Sequence, residues 1–161
     1  MKAPWALVLT LLLAAALSAA SCGDNTDLTA ANQSLVQVSV DAPDTAKSGA
    51  SFDVQVRALN VGVAGIHGGH VIVTLPSPLT VSAVGASAGT TATFTNGIAG
   101  GTVQWDLNTL VSNSQSRLTI TTMGVLGATE GTKRLTVVAS MTAQGIDSGD
   151  AVAQDDVTLI Q

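Results

Sequence analysis

From residue 35 onward, apolar side chains recur at every second position, and this period constrains the fold more than any other feature. Val36, Val38 and Val40 alternate with Gln37 and Ser39. A period of two places alternate side chains on one face of a β-strand, whereas a helix needs a period of about 3.6. The same alternation returns around residues 52–58, 71–75, 103–107, 118–122, 135–141 and 157–159. The sequence therefore predicts an all-β chain.

Short turn sequences rich in Gly, Pro, Asn and Ser separate these segments, and no helical periodicity lies between them. This spacing indicates an antiparallel Ig-like β-sandwich of seven to nine strands over residues 35–161, with a closed barrel as the less favoured alternative. Aromatic residues make up only 2% of the chain, so the core must be aliphatic. We expect Trp105 at its centre, with a partner for the indole N–H, and Phe52 facing inward.

The dipeptide Asn96-Gly97 lies between two of these segments. Both residue types accept positive φ, which tight hairpin turns require. We therefore expect residues 91–95 and 101–107 to pair as a hairpin, with residues 98–100 loosening its turn.

The first 21 residues have the features of a secretory signal peptide. Lys2 provides the charged start, residues 6–17 are dominated by Leu, Val and Ala, and residues 18–21 are small. The apolar run is shorter than the roughly 20 residues that a membrane-spanning helix needs. Residues 22–34 are mostly small and polar, so we expect them to form a flexible tether.

Cys22 directly follows Ala19, Ala20 and Ser21. The segment resembles the lipobox of bacterial lipoproteins, although Ala19 stands where that pattern usually has Leu. The resemblance implies that Cys22 is lipidated and becomes the mature N-terminus. The alternative is a free thiol after ordinary cleavage beyond Ala20. We expect an exported protein, lipid-anchored to the bacterial cell membrane or outer membrane and facing the surface or the periplasm.

Charge and cysteine content exclude several classes of function. The formal net charge is −5 with only 6 Lys and Arg residues, so we expect no nucleic-acid partner. A single cysteine cannot form an internal disulfide or a zinc site built from several thiolates.

Two small groups of polar residues are candidate ligand sites. His67 and His70 flank two glycines with no carboxylate nearby in sequence, so we expect possible contact residues and not metal ligands. His70 is expected on the solvent side of its strand. Calcium at the acidic cluster is the alternative to a chain without cofactors, although acidic turns are usually solvated. The cluster consists of Asp147, Asp150, Asp155 and Asp156.

Residues 85–89 spell Gly-Ala-Ser-Ala-Gly, the pattern of a hydrolase nucleophile elbow. That motif requires a helix after the serine, whereas strand-like residues follow Ser87 here. We therefore expect a loop of small residues and no catalytic residue.

Four segments carry a resemblance to a known family: residues 48–54 (SGASFDV), 60–62 (NVG), 75–80 (LPSPLT) and 101–110 (GTVQWDLNTL). Together they resemble the conserved-repeat domain of bacterial and archaeal surface proteins, an Ig-like domain of unknown function. Asn108 and Ser114 stand where that family commonly has glycine. The resemblance implies a non-catalytic structural, adhesive or protein-interaction module of the cell envelope.

Residues 54–84 are also similar to cohesin and related carbohydrate-binding sandwiches, so a cohesin-like docking or sugar-binding module is the alternative. For the first interpretation, we expect edge strands to contact other envelope proteins, because unpaired backbone groups accept an added strand. Residues 35–40 and 156–161 are the predicted edges.

Overall fold

The computed structural model describes residues 36–143 and 151–161, and these form two β-sheets packed face to face. The described part of the chain is all-β and includes no apolar helix of membrane-spanning length. The strands are β1 Val36–Asp41, β2 Thr45–Lys47, β3 Ser51–Asn60, β4 Ile66–His67, β5 His70–Pro76, β6 Leu79–Ala86, β7 Thr91–Gly97, β8 Gly100–Asp106, β9 Thr109–Leu110, β10 Gln115–Gly124, β11 Thr132–Thr142 and β12 Val152–Ile160.

The four-stranded sheet has the order β1-β3-β10-β6, and the six-stranded sheet has the order β2-β12-β11-β5-β8-β7. All neighbours are antiparallel except β2 and β12, which run parallel. A separate pair, β4 and β9, joins two loops. The Ig-like sandwich is thus confirmed, but the described residues form twelve strands where seven to nine are predicted. β2, β4 and β9 have two or three residues each, too few for alternation to reveal them.

The predicted alternation places the core correctly. Val54, Val56 and Ala58 of β3 are fully buried, while the residues between them face outward. Trp105 is also fully buried, and its indole N–H donates to the Thr90 hydroxyl at 3.0 Å. Phe52 is half-buried against the same core. A buried indole without an acceptor would be costly, so Thr90 completes the aliphatic core around Trp105.

The predicted hairpin is confirmed in its pairing but not in its turn. β7 pairs with β8 from Thr91 opposite Asp106 to Gly97 opposite Gly100, which leaves Ile98 and Ala99 as the turn residues. Asn96 and Gly97 therefore belong to β7 and not to the turn. The Asn96 side chain instead forms hydrogen bonds with the backbone of β6.

Candidate functional site

One lateral side of the sandwich is closed by a side-chain amide. Asn96 on edge strand β7 donates from Nδ2 to the Val81 carbonyl and accepts the Val81 N–H at Oδ1, both at 2.8 Å. These two bonds satisfy the backbone of Val81 on edge strand β6 as a neighbouring strand would. We call this arrangement the Asn96 clasp, and it joins the two sheets along their β6 and β7 edges.

On the opposite lateral side, the described residues leave most of the edge without a paired strand. Among the described residues, β1 pairs with β3 alone. On the other sheet, β2 covers β12 only at Thr158, Leu159 and Ile160, so residues 152–157 also present an edge. The predicted edge at residues 35–40 is confirmed for its described part, Val36 onward. The predicted edge at residues 156–161 is wrong for 158–160, because the parallel pairing with β2 occupies it.

Among the described residues, one hydrogen bond links the end of β1 to β12 on this open side. The Ala42 N–H donates to Asp155 Oδ2 at 2.8 Å, just beyond the end of β1. Away from this link, a groove of about 460 Å³ runs along β1. We call it the β1 groove, and it is lined by Val36, Gln37, Val38, Ser39, Arg57, Leu59, Gln115 and Val152.

Two arginines lie side by side on the outer face of the four-stranded sheet, and one of them, Arg57, lines this groove. The register places Ser39 of β1 opposite Arg57 of β3, and Arg57 opposite Arg117 of β10. We call these three residues the arginine row. Like charges directly opposite each other destabilise a sheet, so this arrangement costs stability unless an anion offsets it.

No carboxylate of the described residues forms an ion pair with the arginine row, although Asp41 of β1 lies in the next row on the same face. The ion pairs among the described residues join Arg134 to Asp156, Lys133 to Glu130 and His70 to Asp106, and none of them includes Arg57 or Arg117. In addition, Arg57 Nε is shielded from solvent and has no hydrogen-bond partner among the described residues. Leaving such a donor without an acceptor costs about 1–3 kcal/mol. Chemically, the row is suited to hold a carboxylate or another anionic oxygen group.

Of the two predicted contact residues, His70 faces solvent as expected, because buried Val71 follows it in β5. Its Nδ1 lies 2.5 Å from Asp106 Oδ1 on the neighbouring strand β8. The hydrogen bond with His70 lowers the pKa of the Asp106 carboxyl below its ordinary value, and partial desolvation opposes this shift. The pairing of β5 with β8 therefore brings to His70 the carboxylate of Asp106, although no carboxylate lies near His70 in the sequence.

His67 lies on the small β4–β9 pair, with Nδ1 3.2 Å from the Thr109 hydroxyl. The two histidines thus have different partners on different strands. Across residues 36–143 and 151–161, no three His, Cys, Asp or Glu side chains form a group that could hold a metal ion.

The acidic cluster is described only in part, because Asp147 and Asp150 lie outside the described residues, as does Cys22. Asp155 accepts the N–H groups of Ala42 and Asp156. Asp156 accepts from the Thr136 hydroxyl and from Arg134. The bond from Thr136, followed by that from Arg134, lowers the pKa of the Asp156 carboxyl. A chain without cofactors, with calcium at this cluster as the alternative, stays a prediction.

Ser87 lies in the loop between β6 and β7, as expected, with strands on both sides. Its hydroxyl donates to the Arg117 carbonyl and accepts the Arg117 N–H. The serine thus extends the pairing of β10 with the end of β6. Nearby, Asn108 adopts a φ of 54°, the conformation expected where the resembled family has glycine.

The arginine row was not singled out from the sequence. Each arginine occupies an outward position of an alternating strand, which is the ordinary place for a charged residue. Only the pairing of β3 with β10, 60 positions apart for this residue pair, brings them together.

Comparison with known proteins supports the fold. No family model and no curated protein matches the chain. Among solved structures, the CARDB domain of the PF1109 protein from Pyrococcus furiosus, crystallised in complex with di-metal ions, is similar with a TM-score of 0.55 and 15% identity. The alignment covers 78% of this chain and 87% of that domain.

A cohesin module from a family 33 glycoside hydrolase of Clostridium perfringens ATCC13124 is similar with a TM-score of 0.59 and 9% identity. This alignment covers 79% of the chain and 98% of the module. Both similarities concern Ig-like sandwiches of archaeal and bacterial proteins, as expected from the sequence. At these identities they establish the architecture alone.

Proposed function

We propose that the protein is a non-catalytic module of the bacterial cell envelope that docks another envelope protein by adding that protein's strand to β1. The observation that carries the proposal is the open β1 edge with the β1 groove beside it. Edge strands offer unpaired N–H and C=O groups, and strand addition satisfies them with main-chain hydrogen bonds. On the β6 and β7 side, the Asn96 clasp satisfies the backbone of Val81 and links the two edge strands.

The side chains of β1 fit this role. Val38 and Val40 face the core and are only partly buried, whereas Gln37, Ser39 and Asp41 point outward. A strand placed beside β1 would cover the two valines with its own inward residues and leave its polar residues outside. Burying this remaining apolar surface adds to the main-chain hydrogen bonds.

Attachment to the membrane is the second part of the proposal. It rests on the signal-like residues 1–21 and on the small residues before Cys22. Lipid chains on Cys22, followed by the tether 23–34, would hold the sandwich close to the bilayer. Mass spectrometry of the mature protein tests this part, with an acylated Cys22 at the N-terminus expected. An unmodified chain beginning before or after Cys22 would contradict it.

The docking proposal is tested by site-specific photo-cross-linking in cells that naturally produce the protein. A photoreactive residue replaces Gln37 on the outer face of β1, and in the control replaces Thr93 on the outer face of β7. We expect a discrete adduct with one envelope protein from position 37 and none from position 93. Equal adducts from both positions, or adducts from neither, would contradict docking at β1.

Sugar binding, the alternative function, has less support from the site. Trp105 is buried, Phe52 is half-buried, and Phe94 is 40% exposed at the β7 edge. One partly exposed ring is a poor stacking platform for a sugar. A glycan array distinguishes the two functions. Sugar binding expects a glycan that binds and is lost when Phe94 is substituted, whereas the docking proposal expects none.

A further inference from the structure

We infer that the strand received by β1 is acidic, with an Asp or Glu carboxylate opposite Ser39 that reaches Arg57. This inference rests on the proposed docking function and adds the chemistry of the partner. It draws on three observations: the like charges of the arginine row, the unpartnered Arg57 Nε and the position of both beside an open strand.

The geometry of an added strand leads directly to this assignment. A new strand would lie about 4.8 Å beyond β1, and therefore about 10 Å from β3. Its outward side chains would continue the rows of the four-stranded sheet, so one of them would extend the row of Ser39, Arg57 and Arg117. Ser39 is small, and Arg57 already lines the groove together with β1. An arginine and a glutamate extended toward each other can meet above Ser39.

Charge makes this row the preferred place for an acid. The row on one side, formed by Gln37, Leu59 and Gln115, is neutral. The row on the other side begins with Asp41, which repels a second acid. A carboxylate opposite Ser39 would partly offset the repulsion between the two guanidinium charges. It would also supply Arg57 with a hydrogen-bond acceptor. The partner strand is thus expected to carry an acid opposite Ser39 and a neutral or basic residue opposite Asp41.

The inference is tested with three synthetic nonapeptides and the mature chain. Their sequence is Thr-Val-Thr-Val-X-Val-Thr-Val-Thr, with Glu, Gln or Lys as the central residue. Binding is measured by fluorescence anisotropy, and the contacted strand is identified by amide chemical shifts. We expect β1 amides to shift and the Glu peptide to bind about fivefold to tenfold more tightly than the Gln peptide, with the Lys peptide weakest.

Four variants assign the preference to the arginine row. Arg57→Gln should reduce the preference for Glu to less than twofold, and Arg117→Gln, which lies one strand further from the added strand, should reduce it by less. Both should leave the thermal midpoint unchanged or higher, because a like-charge contact is removed. A purely structural arginine would instead lower the midpoint. Ser39→Glu should raise the midpoint and abolish the preference, since β1 then supplies the carboxylate itself. Its matched control, Ser39→Gln, should do neither.

The outcomes separate this inference from the proposed function. Peptides that shift β1 amides with equal affinity for Glu and Gln would overturn the acidic strand and leave docking at β1 intact. No shift of β1 amides with any peptide would overturn both. If the free protein sediments as a dimer that Ser39→Glu dissociates, the occupant of the groove is a second copy, and the acidic partner strand is wrong.

Discussion

The two lateral sides of the sandwich differ in how the backbone groups of their edge strands find partners. On one side, edge strands β6 and β7 are joined by the two hydrogen bonds of the Asn96 clasp. On the other side, β1 and β12 are linked at one end by the Ala42 N–H and Asp155, and the β1 groove lies along the first part of β1. Each sheet edge needs protection from unintended pairing. The clasp satisfies the backbone of one residue of edge strand β6, whereas the described residues provide no such bond along Val36–Asp41 of β1, which indicates where the molecule can accept another chain.

The difference extends to the charges near each side. The closed side lies near the His70–Asp106 pair, in which the carboxylate has a cationic or hydrogen-bonding partner. The open side lies beside the arginine row, with which no carboxylate of the described residues forms an ion pair. An edge whose backbone groups and charges already have partners is typical of a surface that binds no further chain. An open edge next to unpaired charges is typical of a binding surface.

The largest expected effect is at Gly100 of β8, where the fold leaves no room for a side chain. Gly100 has a φ of 121°, and a Cβ there would lie 2.0 Å from the Leu75 carbonyl oxygen. Gly100→Ala should therefore destabilise the fold by about 3 kcal/mol or more. Chemical denaturation measures this loss. The control, Gly89→Ala, has a φ of 80° without any contact at the Cβ, so it should cost clearly less. Equal losses would show that space at Gly100 is not limiting.

Breaking the Asn96 clasp should have the next largest effect. Asn96→Ala leaves the N–H and C=O of Val81 without their partners, which should cost about 2 kcal/mol. Amide hydrogen exchange should accelerate at Val81, and β6 should become a second open edge. Asn96→Asp retains an acceptor for the N–H but places an oxygen against the Val81 carbonyl, so it should not restore stability. The exposed neighbour Thr95→Ala serves as the matched control.

Removal of the link on the open side should cost less. Asp155→Ala removes the acceptor of the Ala42 and Asp156 N–H groups, with an expected loss of about 1 kcal/mol. Faster hydrogen exchange should be confined to Ala42, Asp156 and the adjacent end of β1. An exchange increase as large as that of Asn96→Ala, spread over both sheets, would contradict the asymmetry between the sides.

Acid should produce the smallest effect and should act on both sides. The pKa values of Asp106 and Asp156 are lowered from 3.8 in the folded state. Each carboxylate therefore adds stability that is fully present above its unfolded pKa and is lost as the pH falls through its lowered folded pKa. Denaturation midpoints should be flat in this respect above pH 5 and should decline below pH 4. Asp106→Asn, which removes the ion pair with His70, should reduce the decline.

Much of the fold follows from local sequence, because alternation reports directly which side chains face the core. Trp105 and the valines of β3 could be placed inside from their positions alone. The Asn-Gly dipeptide was a weaker signal. It marked the correct hairpin, but Asn96 was better satisfied by the backbone of β6 than by a turn.

The candidate site was less accessible to sequence reasoning, since its parts lie far apart in the chain. His70 meets Asp106 across β5 and β8, although no carboxylate lies near it in sequence. Arg57 meets Arg117 across β3 and β10. No local pattern distinguishes these residues from ordinary solvent-facing positions of a strand.

The sequence by itself determined which side chains are buried, because the pleat of a strand sends successive residues to opposite faces whatever their neighbours are. Only the tertiary structure decided which strands become neighbours, which edge is closed by Asn96 and which stays open at β1. These depend on strand order and register, and the sum of long-range contacts sets both. The placement of two arginines beside an open edge is a property of the assembled sheet and of no segment within it.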